Sequence, residues 1–122
     1  VSSEEVDYVN AHGTGTQSND LAETRALHKV FGEHAKDIAV SSTKSMHGHV
    51  LGASSAIELI ATVLAMNNGV IPPTINLTEA DEFCDLDYVA NVPRHQKLDV
   101  AMSNSFAFGG LNAVLVLKTT DR

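Results

Sequence analysis

The sequence predicts an α/β domain built on a parallel sheet. Two short apolar segments, Val6–Asn10 and Ile38–Val40, are each followed by a helical pattern within about seventy residues. The second segment is apolar throughout, as a strand buried on both faces must be. Each leads into a loop rich in Gly, Ser, Thr and His, which places chemistry at the carboxyl ends of neighbouring strands.

Taken in order, Val6-Asp7-Tyr8-Val9 carries the β-branched and aromatic residues of a strand, and Gly13 to Asn19 breaks it. Asp20 followed by Glu23 resembles a capping box. The helix it opens runs to Phe31, buries Leu27, Val30 and Phe31, and stops at Gly32. After Ile38–Val40, a loop over 41–48 leads to a nearly all-apolar helix from His49 to Met66, ended by Asn67-Asn68-Gly69. Pro72-Pro73 starts an extended connection. Leu86–Ala90, Val100–Ser103 and Leu111–Leu117 read as further strands. The last two are an antiparallel pair around the loop 104–110.

Composition narrows the function. The 122 residues are 43% apolar and carry a net charge of −7, with 8 Lys and Arg scattered along the chain. No basic stripe is present, which argues against a nucleic-acid surface. The longest apolar run, Val50 to Met66, is shorter than a membrane span and contains Glu58. No signal-peptide pattern appears, and the lone Cys84 excludes an internal disulfide framework. Together these point to a protein of a reducing, cytoplasmic setting without membrane or nucleic-acid partners.

The chemistry concentrates in Thr43–Ala53, which contains Lys44, His47 and His49, and in Asn10–Thr16, which contains His12. A single histidine at a helix start is commonly only a packing residue; two in matched loops point to a shared site. Neutral imidazoles each donating one N–H can stabilise an oxyanion, and a helix N-terminus disfavours the imidazolium. Lys44 and Glu58 are the opposite charges nearest the core and are expected to pair if both are buried. Phe106 and Phe108 face the same side if their segment is extended, forming a small aromatic wall. His28, His34 and His95 lie in polar surroundings and read as surface residues. His47, His49 and Cys84 are the only candidates for a zinc module, and a closed zinc site needs more ligands than they supply. Cys84, between Phe83 and Asp85, lacks a positive neighbour that would activate a thiolate.

Asn10-Ala11-His12-Gly13-Thr14-Gly15-Thr16, Ser42-Thr43-Lys44-Ser45 with Gly48-His49 and Gly52-Ala53, and Asn104-Ser105-Phe106-Ala107-Phe108-Gly109-Gly110-Leu111-Asn112 resemble the three C-terminal signatures of the β-ketoacyl-[acyl-carrier-protein] synthases. Ile71–Asn76 and Cys84–Asp87 resemble that family's linking segment, so the likeness covers the whole chain. It implies a thiolase-like half-domain, residues 1–122, with a mixed five-stranded-type sheet packed by helices: one half of an α-β-α-β-α architecture. The N-terminal half, which carries the family's nucleophilic cysteine, is implied to lie outside this sequence, in keeping with a start at Val1 almost directly on a strand. A homodimer is expected for the full enzyme.

The resemblance makes His12 and His49 the catalytic histidines and Lys44 the active-site lysine, with Glu58 as its acidic partner. Thr14 and Thr16 match residues that bind the phosphopantetheine arm of the acyl-carrier protein; no tightly held cofactor is implied. Phe108 matches the gate of the acyl pocket, with Phe106 beside it. The expected reaction is decarboxylative Claisen condensation in fatty-acid elongation. Alternatives are a polyketide ketosynthase domain and a non-catalytic subunit resembling a chain-length factor. Ala107 stands where the family usually has glycine, and Leu111 where it has a small polar residue.

Overall fold

The computed structural model describes residues 1–120. After a 3₁₀ turn at Ser3–Glu5, β1 (Tyr8–Asn10) runs into the loop 11–16 and then α1 (Gln17–Phe31). A further 3₁₀ turn, Gly32–Lys36, leads to β2 (Ala39–Ser41), which is followed by a one-turn helix, α2 (Lys44–His47). The 3₁₀ segment Leu51–Ala53 then opens α3 (Ser54–Asn68). A small antiparallel ribbon pairs β3 (Val70–Ile71) with β4 (Arg94–His95), and the chain closes with the hairpin β5 (Val100–Ala107) and β6 (Leu111–Lys118).

The main sheet has the order β2-β1-β5-β6, with β1 parallel to both β2 and β5 and β6 antiparallel to β5. It holds four strands rather than the expected five-stranded type. Leu86–Ala90, expected as a strand, makes only two isolated parallel bridges, Ala39 to Asp87 and Thr74 to Ala90. The left-handed backbone at Val89 (φ 47°) bends that segment away from a ladder.

Period-two alternation splits the core between the two faces of the sheet. Val9, Val40 and Val100 pack with Leu27 and Phe31 of α1, while Tyr8, Ala39 and Ala101 pack with Ala65 of α3. The sheet thus lies between α1 and α3, a helix–sheet–helix sandwich. Val30, expected in the α1 core face, is instead 63% exposed.

Helix α3 is inverted relative to an ordinary surface helix. The residues it turns inward are Ser54, Glu58, Thr62 and Ala65, one stripe at helical spacing. Ile60, Val63 and Leu64 face outward, with Ile60 60% exposed. The sequence marks this helix as apolar all round and therefore buried; the structure buries its polar stripe and leaves the apolar side open. Both faces of β6 are likewise largely exposed, Val114, Leu115 and Val116 included.

β1 and β2 end level, with Asn10 opposite both Ser41 and Ser103, and β5 runs four residues further to Ala107. The loops after β1 and β2 meet above that line. Ser42 donates from Oγ to the Gly13 carbonyl over 2.6 Å, and the Ala11 N–H donates to the Ser41 carbonyl. Gly13 has φ +42°, and a Cβ there would fall 2.5 Å from Ser42 Cβ. Both the conformation and the contact exclude a side chain. Gly13→Ala is expected to cost roughly 1–3 kcal/mol in chemical denaturation, and less in a Ser42→Gly background, which removes the colliding atoms.

Candidate functional site

Two loops and the far end of β5 meet at the carboxyl end of the sheet. His12 follows β1, Lys44 and His49 follow β2, and Phe106 lies on the far end of β5. The His12 and His49 rings stand edge-on, with centroids 5.6 Å apart and planes at 87°. Phe106 closes the other side of His12, with centroids 5.5 Å apart. The sequence-predicted pair is therefore assembled, on loops 37 residues apart in the chain.

His12 is buried, and burial foremost holds its pKa below the ordinary 6.5, with the Lys44 charge adding to the effect. Glu23 and His49 act in opposite directions on it, the carboxylate raising and the second imidazole lowering. His12 is therefore neutral at neutral pH. A neutral imidazole is a donor at one nitrogen only, as an oxyanion site needs.

His49 is exposed and does not start the long helix, which begins at Ser54. Its tautomer is set by its neighbours. The Leu51 N–H donates to His49 Nδ1 over 3.2 Å, so that nitrogen carries a lone pair and the proton resides on Nε2. Leu51 takes a left-handed backbone, φ 50°, which is strained for a side-chain-bearing residue.

Lys44 and Glu58 form the expected ion pair, with side chains only 4% and 1% exposed. Two charges out of water are tolerable only with close partners, and the surroundings supply further order. Asn10 Nδ2 donates to the Glu58 carbonyl (3.2 Å) and to Thr62 Oγ1 (3.1 Å), while Thr43 Oγ1 donates to Asn10 Oδ1 (3.3 Å). This layer joins β1, the β2 exit and α3 directly beneath the histidines.

Glu23 was not legible as a site residue. The sequence reads Asp20–Glu23 as a capping box, but α1 begins at Gln17 with Thr16 as its N-cap. Glu23 instead lies on the helix face toward the sheet and reaches the loop before it. It accepts from the His12 N–H and the Gly13 N–H, both at 2.9 Å, and from Asn104 Nδ2 at 3.1 Å. An acid nearly two turns inside a helix that follows a glycine loop was the available signal. Asn10 and Asn104, each 3% exposed or less, carry no sequence signal beyond their place in the motifs.

Thr14 and Thr16 sit on the rim of the β1 loop, their hydroxyls 2.9 Å apart. Asn104–Ala107, expected as loop, belongs to β5, and only 108–110 form the turn. Phe108 is fully exposed and makes no aromatic wall with Phe106 within the described residues. Ala107 pairs with Leu111 in the ladder; the left-handed positions are Gly109 and Gly110, at φ 81° and 80°. A groove of about 870 Å³ runs from Lys44 and His49 past Thr14 to Cys84. Among the described residues no group of three or more His, Cys, Asp or Glu is arranged to hold a metal ion. His47 is turned to the Gly48 carbonyl and the Thr43 hydroxyl.

The motifs and their assembly match one family. Residues 1–78 fit the model of the β-ketoacyl synthase C-terminal domain. The chain belongs to the β-ketoacyl synthases. It is 58% identical over 118 residues to nodulation protein E of Rhizobium meliloti, covering 97% of this chain and 29% of that protein. It is 56% identical over 117 residues to 3-oxoacyl-[acyl-carrier-protein] synthase 2 of Coxiella burnetii, covering 96% and 28%. Among solved structures it resembles, at TM-score 0.97 and 39% identity, a chain of a type II polyketide acyl-carrier protein in complex with its ketosynthase bound to the hexaketide. That match covers 99% of this chain and 30% of the other. The chain therefore spans less than a third of the length of these relatives. No helix among the described residues is long and apolar enough to cross a membrane.

Two measurements probe the site's electrostatics. Lys44→Met leaves Glu58 buried without its cation and is expected to destabilise by about 3–5 kcal/mol. The double variant with Glu58→Leu should recover much of that, as read by a denaturant double-mutant cycle. For His12 the folded pKa lies below the unfolded one. Its contribution is therefore full above the ordinary value and is lost as pH falls from there through the folded value. Stability should drop more steeply between about pH 7 and about pH 5 in the native sequence than in His12→Asn.

Proposed function

We propose that this chain supplies the two-histidine part of a ketosynthase site performing decarboxylative Claisen condensation of malonyl-[acyl-carrier protein] with an enzyme-bound acyl group, in fatty-acid elongation. The observation that carries the reading is the edge-on His12–His49 pair, one imidazole held neutral by burial and the other carrying its proton on Nε2. As the carboxylate carbon–carbon bond breaks and CO₂ leaves, the electron pair moves onto the thioester carbonyl oxygen. Two N–H donors there stabilise the enolate as it forms. The enolate carbon then attacks the acyl thioester, and a thiolate departs. That thiolate belongs to the N-terminal half of the family's fold.

Lys44 supports the pair through its fixed positive charge, which disfavours an imidazolium at His12. Thr14 and Thr16 offer hydroxyls to the phosphopantetheine arm arriving on the carrier protein, and Phe108 with Phe106 borders the acyl pocket. The remainder of the protein covers the outward apolar residues of α3 and β6, and the full enzyme is a cytoplasmic homodimer. The high likeness to a polyketide ketosynthase bound to its carrier protein supports a second reading in which the same condensation serves polyketide assembly. The intact histidine pair argues against a chain-length-factor-like subunit.

The test uses the full-length protein with malonyl-carrier protein. His12→Ala and His49→Ala should each lower the decarboxylation rate about 10²–10³-fold, with product chain length separating the two pathways. Mass spectrometry after acyl-carrier-protein treatment should find no acyl adduct on Cys84. Wild-type decarboxylation in both alanine variants, or a robust Cys84 adduct, overturns the reading.

A further inference from the structure

We propose that Ser54 is a positioning residue whose hydroxyl locks His49 in the tautomer that presents an N–H at the site. Ser54 is the first residue of α3 and is 4% exposed. Its oxygen does not cap its own helix, for which no side-chain cap bond is formed at Ala53. It reaches back over the strained Leu51 turn instead. There Ser54 Oγ accepts the Val50 N–H at 2.9 Å and lies 2.9 Å from His49 Nδ1.

The donor roles follow by elimination. A hydroxyl has one hydrogen, and the Val50 N–H already occupies a lone pair of Ser54 Oγ. The Leu51 N–H donates to His49 Nδ1, so that nitrogen is an acceptor and the Ser54 hydrogen must be the second donor to it. The two donors share the single lone pair of Nδ1, and the imidazole proton is left on Nε2.

The opposite tautomer would set a ring N–H against the Leu51 N–H and turn Ser54 Oγ into a double acceptor, leaving its buried hydroxyl hydrogen unpaired. It would also present a lone pair where an oxyanion forms. Ser54 is thus coupled to the chemistry through His49 without touching substrate. The Val50 bond additionally fixes the path of the chain between His49 and α3, so the ring's position and its protonation site share one anchor.

This inference rests on the donor role given to His49 above, and its test is read in the resting protein so that the two can fail separately. Full-length protein is labelled with ¹⁵N-histidine, and the His49 ring nitrogens are assigned by loss of their signals in His49→Gln. In the native protein a long-range ¹H–¹⁵N spectrum should show Nδ1 unprotonated and hydrogen-bonded. In Ser54→Ala the Nδ1 signal should move toward an unbonded position and the tautomer ratio shift about fivefold toward Nδ1–H, the loss of one neutral hydrogen bond. kcat for malonyl decarboxylation should fall while KM holds, and Ser54→Thr, which keeps the hydroxyl, should restore both signals. An unmoved Nδ1 signal in Ser54→Ala overturns the proposal, even if kcat falls. A Ser54-dependent tautomer in a protein that does not decarboxylate malonyl thioester sustains it and defeats the proposed reaction instead.

Discussion

The Lys44–Glu58 ion pair is the constraint on which the site depends. Glu58 belongs to α3 and Lys44 to the single turn after β2, so their contact fixes the distance between the sheet's carboxyl edge and the helix that covers it. His49 lies on the segment strung between those two anchors. Removing either charge would strand the other in a region from which water is excluded. The pair also sets the field at His12, because its lysine end is among the groups that depress that imidazole. Structure and electrostatics therefore share one interaction.

Around the pair, α3 presents a polar stripe to the sheet. Asn10, Thr43, Glu58 and Thr62 bond one another where a core would ordinarily be apolar. Such a layer holds only when nearly every group finds a partner, and this gives it directional order that apolar packing lacks. The apolar residues of α3 consequently point away from this sheet. That inversion makes sense for a helix with a second neighbour on its outer side, and the chain's coverage of under a third of its relatives' length agrees with this.

Glu23 plays the matching part on the other side of the sheet. It gathers the His12 and Gly13 N–H groups and the Asn104 amide onto one carboxylate. The β1 loop, α1 and β5 are thereby tied together by a residue whose local spacing reads as a helix cap. Local spacing could not reveal this, because its partners are supplied by segments up to 81 residues away. The strand assigned to Leu86–Ala90 failed for a related reason. Its β-branched and aromatic content is real, but a ladder needs consecutive pairs, and only Asp87 and Ala90 reach partners, on two different segments. In β5 the reverse happened: Asn104–Ala107 looked like loop, and its register with 111–114 made it strand.

By itself the sequence determined the α/β order, the parallel neighbours β1 and β2, the hairpin at the end, the two histidines and the lysine–glutamate pairing. These are carried by periodicity, by turn residues and by opposite charges in apolar surroundings, all of which act over short range. The tertiary structure decided which face of α3 is buried, where that helix starts and which imidazole nitrogen of His49 bears the proton. It also decided that Glu23 and Ser54, rather than ordinary caps, hold the two histidine loops. Those outcomes depend on which donors and acceptors meet across the fold, and a linear pattern of polar and apolar residues does not encode that geometry.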